Sequence, residues 1–506
     1  MNAKGSDAMR VAVIGGGVGG LAVAYNLAKT FRSKGAAPPE ICALEAGSRF
    51  GGNAETMHFS FGTGPDGKEL RRWADLGVND FNKTAYVEID KVMDEIGFVE
   101  GKDYRPLEDS TSYYTGDGAV FFTDNVAPWW GTGVDPALKA SVDSFMAIAG
   151  RDLHDDTYRD WSLEQYVTER PNSPGPDGKP IDWDPRLGPQ VIYPRVNGMY
   201  FVSGETGARK MPFYAVMHYY HIQEGAGGAP ARRMYFVEGA SRWIDALSDY
   251  MTRHLGVRLI PGFRAEAART AQGWRITNAD DPAKTLDADL VVCATPANAA
   301  LKLIRTLRPD VANSLAQIRY ETAISVAHLD SRLLPADTNA WCTYNIRILE
   351  PGAAAMKPYA ITYVANRHQN DANDPDYNRF GLPTFFVSIN PPYPIPESMV
   401  LKDDDGREAV AYMQHNMFDF ACIRAQAQIG AWQGVDDLYF AGDWSYGSGL
   451  HEECWLQGID IAEKLYSRIT GRGDQPQAAA DPHALLASRL RRTGDPSRRE
   501  APPERT

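Results

Sequence analysis

Gly15, Gly17 and Gly20 stand in a Gly-x-Gly-x-x-Gly spacing, with Gly19 inside the same turn and Glu45 following further along. That set is chemistry for a dinucleotide diphosphate. Gly15 allows a tight turn, Gly17 lets the backbone approach the phosphates, and Gly20 permits close packing of the next helix on the preceding strand. A helix opening there points unpaired amides and the positive end of its dipole at the anion. A carboxylate at Glu45 can accept from both ribose hydroxyls and would repel a 2′-phosphate. The spacing carries weight only if a strand precedes it and a helix follows. Both conditions hold, since Arg10–Ile14 is a strand-like apolar run and Gly19–Thr30 has alanines and leucines at helical spacing.

The chain continues Glu45-Ala46-Gly47-Ser48-Arg49-Phe50-Gly51-Gly52-Asn53. A glycine pair admits a second close backbone approach. A guanidinium pairs with phosphate oxygens more firmly than an ammonium does, so Arg49 reads as a second diphosphate contact rather than a solvated surface arginine.

These groups need a sheet to hold them. Ile41–Glu45 is the next expected strand, and the same alternation returns at Met234–Gly239, a helix from Ser241 to Leu255, strands near Val257–Phe263 and Trp274–Thr277, and Leu290–Ala294. Asp437–Gly442 and Glu452–Ile469 supply a last strand and helix. From Thr63 to Pro230 aromatics, prolines and glycines are dense and the alternation is lost; residues 311–433 read as strands, among them Thr384–Asn390. The expected organisation is therefore α/β: a Rossmann-type domain of the glutathione-reductase-like kind from residues 8–66, 234–310 and 434–470, and a discontinuous α+β substrate domain from 67–233 and 311–433. Residues 471–506 are rich in Arg, Pro, Ala and Asp without aromatics and are expected to be disordered. Gly225–Pro230 reads as a loop, because a helix does not readily open on Pro230.

The chain has 506 residues, 43% hydrophobic and 23% charged, with a net charge of −13 and a pI near 5.3. Nucleic acid as a partner is excluded on that charge, since it is met by basic patches. Five scattered cysteines without a C-x-x-C pair indicate neither a disulfide framework nor a metal site. No signal-peptide core and no run of about 18 apolar residues appear, so a cytoplasmic protein without a transmembrane segment is expected, peripheral membrane contact remaining open.

The Glu45-x-x-x-Arg49-x-Gly51-Gly52 segment resembles that of the flavin amine oxidase and phytoene desaturase superfamily, which implies FAD rather than NAD. Tyr439-Phe-Ala-Gly442-Asp443 followed by Ser448–Gly458 resembles that superfamily's closing strand and flavin helix. The resemblance places Asp443 on the ribityl chain or diphosphate, or else as a helix cap. It sets the amides around Leu450 and His451 toward flavin N1 and O2, where a helix N-terminus stabilises the charge of the reduced ring. Val257–Ala267 resembles the strand that clamps adenine, with Phe263 either at that contact or in ordinary core, and Ala294-Thr-Pro296 resembles the closing turn beside the cofactor.

In the amine oxidases an aromatic ring just before the flavin-helix glutamate helps cage the amine; here that position is Leu450, which argues against a simple amine. A closer resemblance is to bacterial NAD/FAD-binding flavoproteins that include a polyunsaturated fatty acid double-bond isomerase and fatty acid desaturases. It is carried by Gly51–Thr56, Tyr320, His328–Asp330, Trp341–Asn345, Asn366–Gln369, Ile389–Pro392, His415–Asp419 and Gly449–Glu453. Asn53, Asn416 and Glu453 depart from that group's usual residues. The implied activity is hydride movement between flavin N5 and an apolar, unsaturated fatty-acyl substrate, by desaturation or double-bond isomerisation. An FAD-dependent oxidase of a bulky amine or amino acid is the alternative, and a flavin-bound protein without turnover a third. His451 and Glu452 open the flavin helix and are the catalytic candidates. His451 tunes the ring or touches substrate, or caps the helix; Glu452 is a base or a buried partner of a distant strand. His415, Tyr344 and Asn345 are weaker candidates, and His328 with Asp330 is expected to pair within the sheet.

Overall fold

The computed structural model describes residues 8–116, 118–124, 135–202, 207–223, 231–304, 308–349, 359–369 and 382–471. Five short parallel strands form one sheet, in the order Arg258–Ile260, Glu40–Leu44, Arg10–Ile14, Leu290–Cys293 and Leu438–Phe440. Val11 lies opposite Ile41 on one side and Leu290 on the other. Runs such as Val11–Ile14 and Leu290–Cys293 are buried throughout, as strands covered on both faces must be. By chain position the order is 3-2-1-4-5, the doubly wound arrangement with its switch point between Arg10–Ile14 and Leu290–Cys293.

The first helix (Val18–Ser33) and the closing helix (His451–Thr470) pack against each other beside this sheet. Gly458 makes the approach possible, since a Cβ there would stand 2.6 Å from that of Ala22. Tyr25 and Trp455 meet at 5.2 Å between ring centroids, and Phe31 meets Tyr466 edge-on at 4.9 Å.

A second sheet has seven strands, ordered Val410–Asn416, Tyr320–His328, Phe386–Ile389, Tyr359–Val364, Tyr344–Ile348, Ser110–Thr115 and Gly118–Asp124. Its pairs are antiparallel except Tyr344–Ile348 with Ser110–Thr115. The helices Pro136–Asp152, Leu163–Glu169, Tyr193–Tyr200 and Phe213–Gln223 share its apolar core, so the later part of the aromatic stretch that lacked alternation, among its described residues from Pro136 to Gln223, is largely helical. The α/β architecture with a second, mixed lobe agrees with the sequence expectation.

The lobes interleave more than the expected boundaries allow. Arg233–Phe236 does not join the parallel sheet but pairs with Phe81–Asn82 and Tyr104–Pro106. Phe81, Tyr86, Ile89, Val92, Met93 and Tyr104, all expected in the substrate lobe, pack in the core that holds the first and closing helices. In the other direction, Thr56–Thr63 pairs with Glu69–Asp75, and Met57 and Phe59 enter the substrate-lobe core. Phe420–Trp432 is a helix capped by Asp419 where strands were expected; Ala425, Ile429 and Trp432 face the nucleotide side. The loop Gly225–Pro230 lies outside the described residues, as does the tail expected to be disordered beyond Gly471.

Candidate cofactor site

Parallel strands deliver every following loop to the same edge. Gly15 follows Ile14, Glu45 follows Leu44, Phe263 lies shortly after Ile260, Ala294 follows Cys293, and Gly442 lies shortly after Phe440. Five segments singled out in the sequence thus converge at the carboxyl ends of the strands, about the switch point where such sheets take their ligands. Backbone bonds fix them to one another: Gly15 N to Leu44 O at 2.8 Å, Ala294 N to Ile14 O at 2.7 Å, Glu45 N to Ile260 O at 3.0 Å and Phe263 N to Glu45 O at 2.8 Å.

The glycine turn divides into positions filled by protein and one left open. Gly15 has φ +116°, and a side chain there would collide with Ala294 O; one on Gly20 would collide with Gly15 O. A Cβ at Gly19 would stand 3.1 Å from Gly442 Cα. At Gly17, which caps the first helix with φ −69°, a Cβ would meet nothing within 4 Å. Among the described residues no acceptor meets the amides of Gly17, Val18 or Gly19. Tight packing on one side and an open face with free donors on the other fit a diphosphate. Gly51, at φ +111°, donates to Gly16 O at 2.8 Å, and the Cβ of a side chain on Gly52 would lie 3.3 Å from Gly17 Cα, so the second glycine pair borders the same opening.

Glu45 uses one carboxylate oxygen on Gly16 N (2.8 Å) and the other on Gly47 N (2.7 Å), which holds it rigidly at the edge while leaving further lone pairs for hydroxyls. Ala46 is exposed beside it. Arg49 folds over its own loop, onto Ala54 O at 3.0 Å and Gly52 O at 2.9 Å, with Glu55 3.3 Å away. Its guanidinium therefore shapes the glycine loop in this state. Asn53 is exposed, and its carbonyl accepts from Glu55 and Val78. The Phe263 ring is buried among Trp274, Ile276 and Leu44, the core alternative of the sequence reading.

The second half of the site runs from Gly442 to Glu453. Asp443, Tyr446–Leu450 and His451 are half-buried while Trp444 and Ser445 are fully buried, so the segment lies along the interior with one face open. Burial pushes the Asp443 carboxyl up to about 6, and the amide of Trp444 is bonded to it at 2.8 Å. Burial likewise holds the His451 imidazole neutral, down to about 4; its ring lies 5.9 Å from that of Trp243. Leu450 packs against the substrate-lobe core.

Two expectations change here. The Leu450 amide is not free for a flavin, because Glu453 accepts it at 3.2 Å together with Ser448 N at 2.8 Å. Among the described residues the amides of His451, Glu452 and Glu453 keep no acceptor and are the donors at the start of this helix. Glu452 is the second change. It is buried, and its two oxygens accept from Glu88 N at 2.8 Å and Ile89 N at 3.0 Å, capping the helix Val87–Glu95. The partner is a helix, not a strand, and the carboxylate is turned onto that helix rather than standing as a base. Burial pushes Glu452 and Glu453 up to about 7.

The sequence reading missed the residues that fold this loop. Gln457 accepts from Gly442 N (3.2 Å) and Ser445 Oγ (2.9 Å); Gln426 donates to Trp444 O (3.1 Å) and Gly447 O (2.8 Å). Polar residues at buried positions of two helices were the available signal. Of the weaker candidates, Tyr344 donates to Asp80 at 2.8 Å within a buried cluster with Arg233 and His368. Asn345 bonds to Ser112, Cys342 and Thr362, a structural use. His415 stacks on Phe201 at 4.6 Å. His328 accepts from Asp330 N at 3.0 Å, within the sheet edge as expected.

Residues 13–96 match the family described as NAD(P)-binding Rossmann-like domain. No curated protein sequence matches the chain. Reduced UDP-galactopyranose mutase superposes with a TM-score of 0.57 at 12% identity, over 94% of this chain and 99% of that one. Putrescine oxidase gives 0.55 at 13% identity, over 91% and 99%. The CLA-producing fatty acid isomerase from P. acnes gives 0.54 at 15% identity, over 92% and 100%. The chain shares its fold with all three enzymes. A likeness to redox and isomerising enzymes, spread over nearly the whole of each chain, covers the substrate lobe as well as the nucleotide lobe.

Proposed function

We propose that this chain is an FAD-dependent oxidoreductase or isomerase that moves hydride to and from an apolar, unsaturated fatty-acyl substrate. One observation carries the reading. Two helix N-termini with free amides lie side by side, at Gly17–Gly19 and at His451–Glu453, and the backbone of Gly442 touches the first beside the second. A nicotinamide dinucleotide needs the first; a flavin dinucleotide, with charge developing at a second place, suits both.

When bound, FAD would supply a hydride acceptor and donor at its ring. The residues expected to hold it are Gly15, Gly17, Gly19, Gly20, Glu45, Ala46, Arg49, Gly51, Gly52 and Asn53 at the adenosine and diphosphate end, with Ala294 beside them. Gly442, Asp443 and His451 would stand at the other. The amides of His451–Glu453 would turn positive dipole toward the ring end of a bound FAD. Neutral His451 can donate or accept one hydrogen bond without bringing charge into the slot. Leu450 supports the acyl reading because the side chain nearest the helix start is apolar and joins the substrate-lobe core, where a hydrocarbon chain would displace water.

The test is anaerobic incubation of the FAD-loaded protein with free and phospholipid-bound unsaturated fatty acids, followed by flavin absorbance and product analysis. Flavin bleaching or a shifted double bond is expected. If every acid is returned unaltered and an amine panel instead releases peroxide, the amine oxidase reading replaces this one. A protein whose bound flavin no small molecule reduces would be a binding protein.

A further inference from the structure

Tyr320 opens a strand of the substrate-lobe sheet, opposite Asn416, yet its side chain reaches into the nucleotide lobe. Its hydroxyl oxygen accepts from Ala297 N at 2.6 Å, where the helix Ala297–Ile304 begins. That helix follows Ala294-Thr295-Pro296, the turn packed against Gly15. Trp444 Nε1 donates to Thr295 O at 3.0 Å, which fastens the same turn to Asp443 and Trp444. The Tyr320 hydroxyl thus stands at the end of the switch-point turn, the same turn that Trp444 fastens to the Asp443 segment.

Its chemistry is one-sided. A phenol oxygen that already accepts still has a proton to give. Burial, with the charge of Asp443 nearby, keeps that proton on the oxygen. Among the described residues no group accepts it. Asp443 is close enough to influence the phenol but makes its own bond to Trp444 N.

The geometry points to Tyr320 as a cofactor-binding residue contributed by the substrate lobe, donating its hydroxyl to an oxygen of the bound dinucleotide. This rests on the FAD reading above. It makes the cofactor a bridge between lobes, since the strand that carries Tyr320 also pairs with Phe386–Ile389 in the middle of the second sheet.

The experiment compares wild type with Y320F, each stripped of flavin and titrated with FAD by flavin fluorescence, alongside the thermal midpoint with and without FAD. Losing one neutral hydrogen bond predicts about three- to tenfold weaker FAD binding and a smaller FAD-dependent rise in midpoint. The absent Ala297 cap lowers the apo midpoint as well, so the increment, not the absolute value, is the readout. An unchanged dissociation constant in Y320F overturns the inference while leaving the FAD reading intact; a wild type that binds no FAD sinks that reading instead. Should Y320F fail to fold, wild-type protein carrying a 13C label at the ζ-carbon of Tyr320 alone decides: the signal is expected to shift on FAD addition, and an unmoved signal overturns the assignment.

Discussion

The carboxylate of Glu452 holds the amide of Ile89 at 3.0 Å across 363 residues of chain. Its second oxygen holds Glu88 N, and among the described residues no other side chain caps that helix start. The residue next to His451 therefore orients the closing helix against Val87–Glu95, and its influence on the site is positional.

Substitution separates the two roles. E452A leaves two buried amides without acceptors and is expected to destabilise by about 2 kcal/mol or more. E452Q keeps one acceptor and should lose less. Thermal denaturation, flavin content and turnover are measured together; a stable, flavin-loaded E452Q without turnover would restore a chemical role.

The glycine turn predicts opposite outcomes for neighbouring positions. In G15A the new methyl meets Ala294 O at φ +116°, so the folded protein should be lost or strongly destabilised. G17A meets open space, so stability should be near wild type while FAD binding falls by tenfold or more, by about 1.4 kcal/mol per decade. A G17A protein that retains FAD with unchanged affinity would place the diphosphate elsewhere.

Acid should loosen the substrate-lobe sheet. Burial pushes His328 down to about 4, while its ring bonds Ser388 and Asp330 N. For a base depressed in the fold, the stabilisation is present above the unfolded value near 6.5 and is lost as pH falls through 4. The integrated effect is on the order of 3 kcal/mol. Glu452 and Glu453 act in the opposite sense, their contribution being present below about 4.5 and lost as pH rises through about 7. Urea midpoints of wild type and H328N between pH 4 and 7 isolate the histidine: the variant's acid slope should be flatter, and equal slopes would refute the assignment.

All five cysteines are buried thiols outside any disulfide, and burial raises the Cys422 and Cys454 thiols. A thiol reagent such as Ellman's should therefore label none in native protein and all five after denaturation. Early labelling of Cys454 alone would reveal opening of the closing helix.

Gly15, Gly20 and Glu45 were legible because their demands are local: a strand, a turn only glycine can make, and a helix follow one another in sequence. Glu452 was not, because a buried carboxylate's partner depends on which helix packs against it, and Val87–Glu95 lies far off in sequence. Arg233–Phe236 was recognisable as a strand, but alternation says nothing about pairing, and it joined Phe81–Asn82 and Tyr104–Pro106. The helix Phe420–Trp432 was there to be read: Asp419 is a helix cap, and Cys422, Ala425, Ile429 and Trp432 recur at helical spacing.

The central strand Arg10–Ile14 has its outer neighbour close at hand but receives Leu290–Cys293 from far downstream, with Arg10 N bonded to Asp289 across 279 residues. During synthesis one edge of that strand must wait for more than half the chain, and Leu438–Phe440 and the closing helix come later still. Closing so long a loop is slow, and an unpaired apolar edge is open to other chains in the meantime. The protein is thus expected to depend on chaperones as it leaves the ribosome, and its yield should respond to their supply and to growth temperature more than to the stability of the finished fold.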